Sequence, residues 1–136
     1  MGLMELSKSL KSQRMHNSMD INTLIKINVN DVPVYEPAGH YLTYNRRLAG
    51  YFNGSDNLEF VIGEMHKGGG AENHLHSNLD QMIFMLEGEL EVISPGRNER
   101  IVPNDLVVFL KNTEHEVHCV SDKARFIVLY APPHQK

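Results

Sequence analysis

An all-β fold, built as an antiparallel sandwich, jelly roll or barrel, is what this sequence predicts, and three features of it carry that expectation. Short runs rich in Val, Ile, Phe and Leu recur from residue 22 onward, turn formers separate them, and little helical periodicity lies between. The runs are Thr23–Val29, Leu58–Met65, Gln81–Leu86, Glu89–Ile93, Leu106–Leu110, His115–Val120 and Arg125–Tyr130. A further segment, with Tyr41, Tyr44, Arg46 and Arg47, alternates like a strand. The expected turns are Asn53-Gly54, Gly68-Gly69-Gly70, Glu87-Gly88, Pro95-Gly96, Pro103-Asn104-Asp105 and Ser121-Asp122.

Several strands are apolar on both faces. Within Gln81–Leu86, Ile83 and Met85 share one face while Met82, Phe84 and Leu86 share the other. A sheet with one face in water alternates, so both faces are expected to be covered. The barrel interior would cover one. A second subunit is the expected cover for the other, which makes the chain a homodimer.

Residues 1–20 read differently. Leu3, Leu6 and Leu10 follow a helical spacing among Ser, Lys, Asn and Gln, so a short amphipathic helix or arm is expected ahead of a domain spanning 21–136. At 136 residues the chain has length for one core and not for two. A net charge of −4 without any basic block gives no reason to expect a nucleic-acid partner. No apolar run approaches the roughly 20 residues of a membrane-spanning helix, so no membrane partner is expected. The single cysteine, Cys119, has no internal partner for a disulfide. That fits a reducing compartment, and the expected location is the cytoplasm.

Eight histidines stand out in a chain with no tryptophan. His74 and His76 are two apart, so on an extended strand they point to one face, about 7 Å apart along the chain. His115 opens a later strand after a turn and can add a third nitrogen from across a barrel. His118 falls three residues further on, on the opposite parity, and His16, His40, His66 and His134 read as non-ligands. Cys119 shares the parity of His115 and reads as a small buried side chain.

The pattern around these histidines is specific. Gly68-x5-His74-x-His76-x4-Gln81-x6-Gly88 resembles the first motif of the cupin family, position for position, except that Gln stands where that motif has Glu. The second motif is matched in spacing and in its histidine by Asn104-x5-Leu110-x-Asn112-x2-His115-x3-Cys119. Asn replaces both of its glycines, Leu its proline and Cys its final Asn. Asn tolerates left-handed backbone, so the two turns survive. The resemblance covers about residues 60–120 and implies a cupin jelly-roll β-barrel that holds one divalent metal through His74, His76, Gln81 and His115. Three imidazoles and an oxygen donor suit Fe, Mn, Ni, Co or Zn better than Mg or Ca.

The Gln has a physical consequence. Three neutral imidazoles and a neutral amide leave the full +2 charge of the ion uncompensated, which strengthens it as a Lewis acid and favours an anionic substrate. The expected function is therefore a metal-dependent enzyme acting on a small, oxygen-rich, anionic molecule, a carboxylate, by isomerase, cyclase or lyase chemistry. An Fe(II)-dependent dioxygenase and a non-catalytic cupin that binds a small ligand are the alternatives. Arg46, Tyr44 and Glu64 are the candidate catalytic residues, with an arginine such as Arg46 placed to clamp a substrate carboxylate.

Overall fold

The computed structural model describes residues 23–135, so the expected N-terminal arm or helix lies outside the described residues. Eight strands follow one another: β1 (His40–Ala49), β2 (Glu59–His74), β3 (Asp80–Glu87), β4 (Leu90–Ser94), β5 (Arg97–Ile101), β6 (Leu106–Phe109), β7 (His115–Cys119) and β8 (Lys123–Ala131). They form one antiparallel sheet in the order β5-β4-β7-β2-β8-β3-β6, with β1 also on β2, and the sheet bends into a nearly closed barrel. This is the all-β jelly roll that the run-and-turn pattern predicts.

The 16-residue β2 organises the barrel. Its first half, Glu59–His66, pairs with β8, and its second half pairs with β7 through Gly70↔His118, Ala71↔Val117 and His74↔His115. One strand thus serves both walls, and β1 runs beside it over most of its length. Inward-pointing Val61, Met65, Ile83, Met85, Leu90, Val92, Val117, Phe126 and Val128 fill the core. The alternation of buried and half-buried residues along β3, β7 and β8 is the period-2 signature of a strand with two different faces.

Three expectations need correction. Thr23–Val29 is no strand: the chain alternates there but has no sheet partner among the described residues, Leu24 is 87% exposed, and a 3-10 turn follows at Val29–Asp31. Gly68-Gly69-Gly70 is not a turn between elements but lies inside β2, where the register slips. A side chain at Gly70 would put its Cβ 2.2 Å from the carbonyl oxygen of Val117, so glycine is what lets β7 close on β2 there. Strand β5 had no signal of its own. Its residues Arg97–Arg100 are exposed and polar, suited to a sheet edge that should not recruit another chain.

The left-handed backbone expected of the two motifs is found at all four positions. Gly68 and Gly88 have φ of 82° and 80°, and Asn104 and Asn112 follow with 78° and 68°. The two asparagines stand in the left-handed conformation that glycine would otherwise supply.

Candidate metal centre

The end of β2 and the start of β7 bring three imidazoles together. His74 pairs directly with His115 across the β2–β7 ladder, and His76 follows on the loop beyond β2. The ligating nitrogens of His74, His76 and His115 all lie within 4.8 Å of one another. Gln81, at the start of β3, is 7% exposed and sets its Oε1 3.1 Å from Nε2 of His115.

The hydrogen bonds show which nitrogens face the centre. Nδ1 of His74 lies 2.6 Å from the carbonyl oxygen of Glu72, and Nδ1 of His115 lies 2.9 Å from that of Thr113. A carbonyl only accepts, so in both rings the proton sits on Nδ1 and the lone pair on Nε2. The two rings are fixed by the same device, a backbone carbonyl two residues upstream. Nε2 of His76 is buried and has no partner among the described residues.

The protonation states agree. Burial, reinforced by repulsion between neighbouring imidazoles, lowers the pKa of His76 to about 4; the same burial effect, partly opposed by the Thr113 carbonyl, lowers that of His115 to about 4. Both are neutral at pH 7. Nε2 of neutral His115 has its lone pair directed at the Gln81 amide 3.1 Å away. A divalent ion at the centre would be held by both groups. An orphaned buried nitrogen, two rings locked with Nε2 inward and an amide oxygen beside them make a donor set that fits a divalent ion.

Packing holds the set in position. The Phe109 ring, 4% exposed, stacks on His115 with centroids 3.9 Å apart and planes 6° from parallel. Gln81 and Phe109 are direct partners across β3 and β6, so one ladder position supplies both a donor and the support for its neighbour.

Above the centre opens a cavity of about 620 Å³, lined among others by His40, Arg47, Glu59, His74, His76 and Tyr130. A space of about 20 Å³ lies inside the barrel, against His74, Gln81 and His115. Two histidines read from sequence as non-ligands reach this site without joining the three. The His40 ring lies 6.1 Å from that of His74, and the His134 ring 4.9 Å from that of His76. Burial lowers the pKa of His40 and keeps the phenol of Tyr130 protonated.

The structure does not bring Arg46, Tyr44 and Glu64 to the cavity. The three are on the outer side of the β1–β2 wall, where Arg46 donates to the carbonyl of Val29, Tyr44 packs its ring 5.1 Å from His66, and Glu64 meets His66 and Lys123. The alternation of β1 turns their neighbours inward instead: Thr43, Asn45 and Arg47 face the barrel. His118 does lie on the opposite face from His115, against Glu116 and Tyr41, and Cys119 is buried at 5% exposure. Glu59 and Tyr130 were missed altogether, because only strand register brings them beside Gln81.

Comparison with known proteins places this geometry. A family model for the cupin domain matches residues 61–131, just over half of the chain. No curated protein matches. Among solved structures, the polyketide cyclase RemF from Streptomyces resistomycificus superposes with a TM-score of 0.72 at 22% identity, covering 80% of this chain and 80% of that one. KdgF from Halomonas sp. gives 0.66 at 21% identity, covering 76% of this chain and 90% of the other. Ectoine synthase from P. lautus gives 0.70 at 16% identity, with 81% and 79% covered. At these identities the likeness is one of fold. With the family match spanning β2 to β8, this chain belongs to the cupin family.

Proposed function

We propose that this chain is a metal-dependent enzyme that binds a small carboxylate at a divalent ion held by His74, His76, His115 and Gln81, and transforms it by isomerase, cyclase or lyase chemistry. The observation that carries the reading is the convergence of three Nε2 atoms and one amide oxygen, with two of the rings locked by backbone carbonyls. An ion in this set supplies Lewis acidity that no carboxylate ligand weakens. The chain's own residues do the rest. Phe109 and the Thr113 carbonyl hold His115 in one orientation. Tyr130, a protonated phenol beside the centre, can donate a hydrogen bond to a substrate oxygen. The walls of β1, β2 and β8 keep bulk water to the cavity side. Cyclase and synthase names among proteins of like fold support this class of reaction.

A homodimer belongs to the same proposal. Across four strands, Phe60, Leu129, Met82 and Val108 form one outward row, and Ile62, Ile127, Phe84 and Leu106 form the next. Leu106 and Val108 are 55% and 41% exposed. Two adjacent apolar rows of this width are an unusual surface to leave in water. Sedimentation at micromolar concentration should give a dimer, and a monomer would remove this part of the account.

Calorimetry tests the functional reading. Acetate should bind the metal-loaded protein and acetamide should bind it far more weakly, with the difference vanishing once the metal is stripped. Equal binding of acid and amide to the loaded form would overturn it.

A further inference from the structure

The ladder position that brings Gln81 to the metal centre ends on a buried carboxylate that holds a cation. Gln81 pairs with Tyr130, and Tyr130 pairs with Glu59, so three side chains stand in line across β3, β8 and β2. Strands lie about 4.8 Å apart, so Gln81 and Glu59 are about 10 Å apart along the wall. Glu59 is 1% exposed and fully engaged. Its Oε1 accepts the backbone N–H groups of His134 and Gln135 at 3.0 and 2.9 Å, and its Oε2 accepts from Nε of Arg47 at 3.0 Å.

That contact fixes Arg47 on one edge, and a ring fixes its plane. The guanidinium carbon lies 4.6 Å from the centroid of the Tyr35 ring. A guanidinium carries five N–H groups in a rigid fork, and here the Nε–H is the one committed to Glu59. The fork also reaches the Tyr35 hydroxyl, and Arg47 lines the cavity with what is left of it. Close by, Oδ1 of Asn45 is buried, with the residue 5% exposed, and has no partner among the described residues. It lines the same cavity. An unpaired acceptor calls for a donor such as a hydroxyl on an entering molecule, so Asn45 takes no part in holding a carboxylate.

We infer that Arg47 is a second anion subsite, so that the substrate is a diacid, with one carboxylate at the metal centre and the other on Arg47. The inference rests on the metal reading above and deepens it by naming the substrate class. Arg47 is held in advance on two sides, so little rotamer freedom remains to be lost when a planar carboxylate docks on its fork. A fully partnered Glu59 orients Arg47 and offers a dianion no uncompensated negative charge beyond that pair. Arg46, one residue away, cannot share the task, since its guanidinium is tied to Val29 on the outer side.

The test is calorimetric titration of the cobalt-loaded full chain with butyrate and with the dicarboxylates from malonate to adipate. One chain length in that series should bind ten- to hundredfold tighter than butyrate, the worth of a charge-assisted Arg–carboxylate contact. Arg47→Met should abolish the advantage of the best dicarboxylate over butyrate while the metal is retained. Should Arg47→Met fail to fold because Glu59 loses its cation, the Arg47→Met/Glu59→Gln double variant carries the same comparison, with Gln still accepting the two backbone N–H groups. No preference for any dicarboxylate, or a preference that survives loss of Arg47, overturns the subsite. Butyrate binding with and without cobalt judges the metal centre separately, so failure of one is not mistaken for failure of the other.

Discussion

Replacing Gln81 with Glu changes one atom's chemistry at the most informative point of the centre. Oε1 of Gln81 is 3.1 Å from Nε2 of His115, whose pKa burial lowers to about 4. A carboxylate oxygen at that position attracts a proton onto His115. At an effective dielectric constant of about 20 the Coulomb energy at this distance is roughly 5 kcal/mol, equivalent to nearly four pKa units. In metal-free Gln81→Glu protein, His115 is therefore an imidazolium up to about pH 7 or above, paired with the new carboxylate. An incoming ion must then displace a proton that the wild-type site does not hold. Affinity for Co(II), measured by chelator competition at a series of pH values, should rise in the variant at pH 8 or above, where the added charge neutralises the ion. The ratio of variant to wild-type affinity should then fall by about tenfold per pH unit as pH drops toward 5. The ratio cancels every proton the two proteins share, so it isolates position 81. A ratio that does not change with pH would mean that Gln81 and a neutral His115 do not share one site.

Three other perturbations follow from the same geometry. Phe109→Ala removes a buried ring and the stack on His115, and should lower stability by about 3–5 kcal/mol; thermal unfolding should shift down by about 10 °C or more, and a shift under about 2 °C would contradict the packing described. Gly70→Ala should weaken both stability and metal binding, because its Cβ would meet the Val117 carbonyl at 2.2 Å and push β7, with His115, away from β2; urea unfolding with unchanged metal affinity would refute that coupling. In the metal-free protein His76 and His115 have pKa values of about 4 in the folded state against the ordinary 6.5 of a solvated imidazole, so the unfolded chain binds more protons between these values. Stability is fully present above about pH 6.5 and is lost as pH falls through about 4, by roughly 2–4 kcal/mol after solvent screening, and a urea midpoint flat over that interval would count against it.

Much of this fold was legible because its signals are local. Continuous apolar runs define β3 and β8, an alternating run defines β7, and the glycine and asparagine turns bound them. The His74–His76–His115 set was legible for a related reason, since strand parity and motif spacing depend only on neighbours in the chain. What failed depends on register. Nothing in the order of residues says that Glu59 and Tyr130 line up with Gln81 across three strands. Arg46 and Arg47 differ by one in parity, which on a strand sends their side chains to opposite faces, and of the two only Arg47 lines the cavity. Strand β5 was invisible because an edge strand facing water needs no apolar alternation. The triple glycine read as a turn because its actual role, close approach of β7, is set by a strand 47 residues away.

Metal stoichiometry tests the central claim most directly. Wild-type protein and the His76→Ala variant, stripped with chelator and then equilibrated with Co(II), should be separated from unbound metal and analysed for cobalt per chain. The account predicts one tightly held ion per wild-type chain and its loss from the variant, because removing one of four ligands takes away a bond and opens the site. No stoichiometric cobalt in the wild type, or one ion held at undiminished affinity by His76→Ala, would contradict the metal centre on which the rest depends.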